Sequence, residues 1–272
     1  MLKMYAALLG EVKRKKPLVH HITNYVTVND CANITLSIGA SPVMADCVDE
    51  AAEIAGIASA LVINMGTLNS STIPSMIAAG KAANARGIPV VFDPVGAGAS
   101  RLRNETAMRI INEVKLAVLR GNISEIKFVS GLQSATKGVD ASDADKADPD
   151  SAAKLARELA LKLRSVVVIS GEVDTVSDGA KTVLVENGNP MLGNLTGTGC
   201  MCSSLIGSFC GAMHDEPFSA SVTAMVTMGI CGELAYKKAG HLGSGSFHEA
   251  LRDAVSQIDQ LTFERLAKIR EE

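Results

Sequence analysis

The chain has 272 residues, 47% hydrophobic but only 3% aromatic with no tryptophan, and its 26 basic against 29 acidic side chains leave a net charge of -3. That balance excludes the electrostatic footprint of a nucleic-acid or anionic-membrane binder, and a core of Ala, Val, Ile, Leu and Met fits helices packed on a parallel sheet. The 6 cysteines form neither a C-x-x-C pair nor a zinc-spaced Cys/His cluster, which points to free thiols in a reducing cytoplasm, and no apolar run approaches the ~20 residues that span a bilayer.

Apolar spacing over residues 2–12 predicts a helix. The cluster Lys13-Arg14-Lys15-Lys16 is better placed to complement its negative end than to hold a polyanion. Residues 17–26 follow, carrying His20, His21, Asn24 and Tyr25 among apolar neighbours, and a helical run then leads to residues 39–44. Polar groups beside Val26 and Met44 suit a small heterocycle with one apolar face. The adjacent histidines read as hydrogen-bonded buried rings, since two His without a further ligand make no metal signature.

Buried-strand runs at 60–65, 88–93, 116–119 and 165–170, with a more exposed one at 181–185, alternate with helical periods at 49–59, 72–86, 101–114 and 151–163. This alternation predicts right-handed βαβ units, a mainly parallel central sheet flanked by helices, and ligands at the carboxyl ends of the strands. Residues 131–150, rich in Asp, Ala, Ser and Gly, read as a loop or excursion. From residue 197 the pattern turns helical, at 200–213, 218–239 and 245–262. One domain over 1–272, without a separate lid domain, accounts for the whole pattern.

The chemistry should therefore sit just after strands. Asp93-Pro94-Val95-Gly96-Ala97-Gly98 places a carboxylate at one strand end, where Asp93 either holds Mg²⁺ or caps the following turn. Arg120-Gly121-Asn122 ends the next run, with Glu125 close behind; Arg120 offers a planar fork for phosphate and Glu125 a second metal-directed carboxylate, or each is a surface charge. Ser170 ends a third run, as a phosphate ligand or as a polar terminus. No G-x-x-x-x-G-K-[ST] loop occurs.

Asn194-Leu195-Thr196-Gly197-Thr198-Gly199-Cys200 opens the carboxyl-terminal helices as an anion-binding helix start. Gly197 and Gly199 let backbone approach a phosphate, and the hydroxyls of Thr196 and Thr198 are placed to cap the first amides. Cys200 falls in the first turn, where the helix field is expected to lower its thiol pKa.

Residues 17–24, 41–46, 93–98, 120–125 and 194–200 together resemble the hydroxyethylthiazole kinase family of the ribokinase-like superfamily, in order through most of the chain. The resemblance implies ATP- and Mg²⁺-dependent phosphorylation of the alcohol of 4-methyl-5-(2-hydroxyethyl)thiazole, a salvage step towards thiamine, by a homotrimer with sites at subunit interfaces. It implies that Asn24, Val26, Met44 and Gly197 contact the thiazole, that Arg120 and Ser170 contact the ATP phosphates, and that Asp93 and Glu125 organise Mg²⁺. Cys200 stands where the wider superfamily has an aspartate base. Alternatives are a kinase of pyrimidine alcohols, a nucleotide-hydrolysing hydratase-type lyase on the same fold, and a nucleotide-binding module without catalysis.

Overall fold

The protein is seen in a computed structural model that describes residues 2–132, 136–137, 140–141 and 148–272. Helix α1 (Leu2–Lys15) leads to β1 (Leu18–Ile22), and α2 (Val28–Ile38) to β2 (Ser41–Met44). Then α3 (Val48–Ile57), β3 (Ala60–Asn64), α4 (Thr72–Ala85), β4 (Val90–Asp93), α5 (Arg101–Glu113) and β5 (Val118–Asn122) alternate. Helix α6 (Ile123–Ser130) and the short hairpin β6 (Thr136–Lys137) and β7 (Asp140–Ala141) precede α7 (Pro149–Leu163), β8 (Val166–Ser170), β9 (Asp174–Ser177) and β10 (Thr182–Val185). The remaining elements are α8 (Thr198–Ala212), α9 (Pro217–Ala239), α10 (Ser244–Gln257), α11 (Gln260–Leu266) and β11 (Ile269–Glu271).

A single sheet orders these strands β2-β1-β3-β4-β5-β8-β9-β10-β11. The first six are parallel and the last three run antiparallel, as a ribbon added to one edge. Side chains alternate between two cores, as strand geometry requires. Val62, Val91, Val118 and Val168 pack with Met201, Leu205 and Phe209 of α8 and with α9 and α10. Leu61, Ile63, Phe92, Leu119, Val167 and Ile169 pack on the opposite face, against α3, α4, α5, α6 and α7. The α/β architecture with a mainly parallel, helix-flanked sheet is the one the alternation predicted.

Several local expectations changed. Strands β1, β2 and β9 were not picked out, and the expected strand at 116–119 runs instead over Val118–Asn122, so Arg120 is inside a strand rather than past its end. The helix expected over 245–262 breaks at Ile258, and Asp259 caps a new one by accepting from Thr262 N at 2.7 Å. Helix α9 is long and apolar enough to cross a membrane, contrary to the sequence reading, but most of it is buried inside the fold, packed on α8 and α10. The basic cluster does lie in the last turn of α1, yet Lys13 Nζ and Lys15 Nζ reach the carbonyls of Ile258 and Ala212 near the ends of α10 and α8, so they serve other helices. Of the stretch 131–150, residues 133–135, 138–139 and 142–147 lie outside the described residues.

Candidate active site

Four polar side chains extend the apolar row that faces α8. Asn64, Asp93, Arg120 and Ser170 each stand two residues beyond Val62, Val91, Val118 and Val168, so the two-residue period puts them on that same face at the carboxyl end of the sheet. Asn64 and Asp93 are register partners on β3 and β4. Above this row begins α8, whose first two turns carry Gly199, Cys200 and Ser203.

A continuous chain of hydrogen bonds and one ion pair links them. Ser203 Oγ donates to Asp93 Oδ2 at 2.7 Å, and Asn64 Nδ2 donates to the same oxygen at 2.9 Å. Arg120 Nη1 lies 3.6 Å from Asp93 Oδ2, while its Nη2 donates to Ser170 Oγ at 2.8 Å. Cys200 Sγ accepts from both Asn24 Nδ2 and Asn64 Nδ2 at 3.3 Å. Asn24 is itself fixed by Thr27, whose amide and hydroxyl each donate to its Oδ1 at 3.1 Å. Glu125, in the first turn of α6, accepts from Gly96 N and Asn122 N at 2.8 Å each, so its carboxylate ties the turn after β4 to the end of β5. Asn122 Oδ1 in turn accepts from Glu125 N, completing a capping box.

The helix start is bare backbone. Gly197 holds φ +92° as the N-cap of α8, and a Cβ there would come 2.7 Å from Thr27 Cγ2, so space and conformation both demand glycine. At Gly199 a Cβ would fall 2.7 Å from Arg120 Nη1, so the guanidinium lies directly against the helix backbone. The first helical bond of this turn runs from Met201 N to the Gly197 carbonyl, leaving the amides of Thr198, Gly199 and Cys200 without a helical acceptor. The expected hydroxyl caps are not formed. Thr198 Oγ1 instead donates to the carbonyls of Leu192 and Leu195, anchoring the preceding turn, and Thr196 is exposed with no side-chain hydrogen bond among the described residues.

Charge in this cluster is unbalanced. Burial, opposed by Arg120, Ser203 and Asn64, pushes the Asp93 carboxyl above its usual range. Burial and the neighbouring Asp93 raise Glu125 to about 8. Arg120 loses solvation, but Asp93, Cys202 and Glu125 outweigh that loss and hold it firmly charged. Cys200 contradicts the sequence expectation: burial, then the Asp93 charge, raise its thiol pKa, outweighing help from Thr27 and Asn24. Burial also holds His21 near pKa 3, so it stays neutral beside Thr35; His20 Nε2 meets the Ala45 carbonyl at 2.6 Å. Both histidines are structural.

The donor set suits a small divalent cation. Asp93 Oδ1 is buried with no hydrogen-bond partner among the described residues, and two buried carboxylates of raised pKa face one guanidinium. Mg²⁺ takes one or two carboxylates and completes its shell with water and phosphate oxygens, so the absence of a three-residue His/Cys/Asp/Glu group among the described residues is no obstacle. Glu125 binds its proton more tightly in the fold than in the unfolded chain, so its contribution favours the fold below the ordinary carboxyl range and is lost as pH rises towards about 8. Thermal melts without divalent cation are expected to show Tm falling between about pH 5 and pH 8, with Glu125→Gln flattening much of the slope. A constant wild-type Tm over that range would overturn this assignment.

Asn24, Asp93, Arg120, Glu125, Ser170, Gly199 and Cys200 thus converge. Met44 ends the edge strand β2, half-buried, and Val26 is 58% exposed beside Asn24, so neither joins the hydrogen-bonded cluster. Three contributors escaped the sequence reading. Asn64 ends an apolar run and Ser203 lies inside a small-residue helix. Arg103 of α5 donates to the carbonyls of Met65, Gly66 and Val95, clamping the turns after β3 and β4 together. The apolar period that orients the strand row could have flagged Asn64.

A family model described as the hydroxyethylthiazole kinase family matches residues 9–261. The chain is 58% identical over 269 residues to hydroxyethylthiazole kinase of Ruminiclostridium cellulolyticum, covering 99% of this chain and 98% of that protein. It is 59% identical over 266 residues to the Clostridium beijerinckii protein of the same name, covering 97% and 96%. The solved structure of hydroxyethylthiazole kinase from Pyrococcus horikoshii OT3 superposes with a TM-score of 0.90 at 40% identity over 99% of both chains. An ADP complex of Bacillus subtilis pyridoxal kinase, at TM-score 0.60 and 15% identity over 81% of this chain and 91% of that one, shares the fold alone.

Proposed function

Because the chain belongs to the hydroxyethylthiazole kinase family, we propose that this strand-end site moves the γ-phosphoryl group of ATP to the hydroxyl of 4-methyl-5-(2-hydroxyethyl)thiazole. The observation that carries it is the junction of a buried carboxylate and guanidinium with a thiol at the open amino end of α8. The dissociative character of phosphoryl transfer leaves a protein little covalent work, so positioning and charge placement dominate.

Asn24 and Gly197, with Val26 and Met44 as the apolar side, hold the thiazole so that its hydroxyl lies next to Cys200 Sγ. Arg120 and Ser170 take the nucleotide phosphates. The bare amides of Thr198, Gly199 and Cys200 meet the transferring group, where the helix dipole adds to their pull on anionic oxygens. In this role Thr198 acts through its amide, and Thr196 flanks the loop with its hydroxyl available to phosphate. Asp93 and Glu125 would hold Mg²⁺, which when bound neutralises phosphate charge. As the new P–O bond forms and the bond to the ADP oxygen breaks, the hydroxyl proton passes to the Cys200 thiolate.

Exposure of Tyr25 at 77% and of Val26 beside the site supports a further copy of the chain covering that edge, in keeping with a homotrimer. The 6 free cysteines support a reducing cytoplasmic setting.

The test is ADP release from ATP and Mg²⁺ with and without the thiazole alcohol, with product mass determined. A thiazole-dependent phosphate ester is expected. ADP formed equally without the alcohol, or not formed at all, would overturn the reading.

A further inference from the structure

We infer that Asn64 is a positioning residue for the transfer step, fixing the Cys200 sulfur relative to the Asp93 carboxylate and tying both to Asn24. This inference rests on the reading above. Asn64 ends β3 at 1% exposure, and every hydrogen-bonding direction of its amide is used. One hydrogen of its Nδ2 faces Asp93 Oδ2 at 2.9 Å and the other Cys200 Sγ at 3.3 Å. Its Oδ1 accepts from Asn24 Nδ2 at 2.9 Å and from Gly66 N at 3.0 Å.

The orientation of this amide follows from groups that cannot turn round. Side-chain amides are ambiguous by 180° unless their partners decide. Here backbone N–H groups decide at both positions: Gly66 N demands the Asn64 oxygen, and Thr27 N demands the Asn24 oxygen. Flipping Asn64 would set N–H against N–H at Gly66 and oxygen against carboxylate at Asp93. Both nitrogens are thereby committed to the Cys200 sulfur, one from the end of β3 and one from the segment after β1. Asn24 belongs to the thiazole side, and Asn64 alone also grips Asp93. Asn64 is thus the one side chain bonded to both the proton acceptor and the phosphate-side carboxylate, alongside the route through α8, where Ser203 holds the same Asp93 oxygen.

Neither Glu125, Ser170 nor the guanidinium of Arg120 is bonded to Asn64, so the nucleotide contacts should survive its loss. In Asn64→Ser, kcat is expected to fall about 10²-fold, the scale of a misplaced catalytic group, while KM for ATP stays within about twofold. The decisive measurement is a double-mutant cycle. In a Cys200→Ala background the same Asn64→Ser change should cost less than roughly threefold, because the sulfur it positions has gone. Losses that multiply in full overturn the proposal, as does a KM for ATP that rises in step with the fall in kcat. Should Asn64→Ser lack a cooperative melt, Asn64→Gln, which keeps both hydrogen-bonding groups but displaces them by one methylene, carries the same cycle. Wild-type protein without thiazole-dependent ADP release would bring down the functional reading and this inference together. Active wild type with multiplicative losses would bring down the role of Asn64 alone.

Discussion

Asp93→Asn is expected to lower thiazole-dependent turnover by about 10³-fold, the scale of several kcal/mol of charge stabilisation withdrawn from the transition state. Asparagine nearly matches the aspartate in shape and retains an oxygen for the Ser203 hydroxyl, so the change removes charge more than packing. What disappears is the only carboxylate within salt-bridge distance of Arg120 among the described residues, together with the buried Oδ1 that has no other partner. A second readout is independent of activity. After burial itself, Asp93 is the main cause that raises Glu125, so the Glu125 carboxyl should move back towards its ordinary range once Asp93 is neutral. The fall in metal-free Tm between about pH 5 and pH 8 should accordingly shrink in Asp93→Asn. Turnover within tenfold of wild type, or an unchanged pH slope, would contradict the assignment of Asp93.

Cys200→Ala should cost about 10²- to 10⁴-fold in kcat, the usual worth of general-base help, with ATP binding retained. The raised thiol pKa sharpens this into a pH profile. Because the thiol is held above its ordinary value, thiolate is the minor form at neutral pH, and kcat should climb up to tenfold per pH unit while that holds. Cys200→Ala should run at a low level without the climb. Cys200→Asp should remain active with a weaker alkaline rise, since a carboxyl starts several units below a thiol, although the same burial and Asp93 charge raise it too. Equal kcat in wild type and Cys200→Ala would remove the sulfur from the mechanism. Steady-state rates from about pH 6 to pH 9 on all three proteins make the comparison.

The strands that proved legible were those with uninterrupted apolar runs, such as Val166–Ser170 and Ala60–Asn64, buried on both faces as a parallel sheet demands. Strand β1 was hidden because His20 and His21 break its apolar pattern, although both rings are buried, with one nitrogen of each meeting a carbonyl or a hydroxyl. Strand β9 was hidden for a related reason: Thr175 and Ser177 are fully buried, and Ser177 Oγ is paired with Thr182 across the ribbon. The charged members of the site were legible because Asp93, Arg120 and Glu125 interrupt or follow apolar runs. Asn64 was not, since its partners stand 40, 29 and 136 positions away and only the fold brings them together. The expected fall in the Cys200 pKa failed because burial of the sulfur, and then the charge of Asp93, which the sequence does not place beside it, raise the thiol.

The site's span along the chain bears on how the protein comes to exist in a cell. When the ribosome has delivered everything through β8, the row Asn64, Asp93, Arg120 and Ser170 is already made, yet the face it shares with Val62, Val91 and Val118 has no cover until α8 follows. A nascent chain at that length exposes an apolar sheet face ending in unmatched charge, a form prone to capture by chaperones and unable to transfer phosphate. The arrival of α8 then covers β1, β3 and β4 and delivers the thiol in one event, with α9 completing the cover over β8, β9 and β10, so that the last steps of burial and the assembly of the site belong to the same stretch of synthesis.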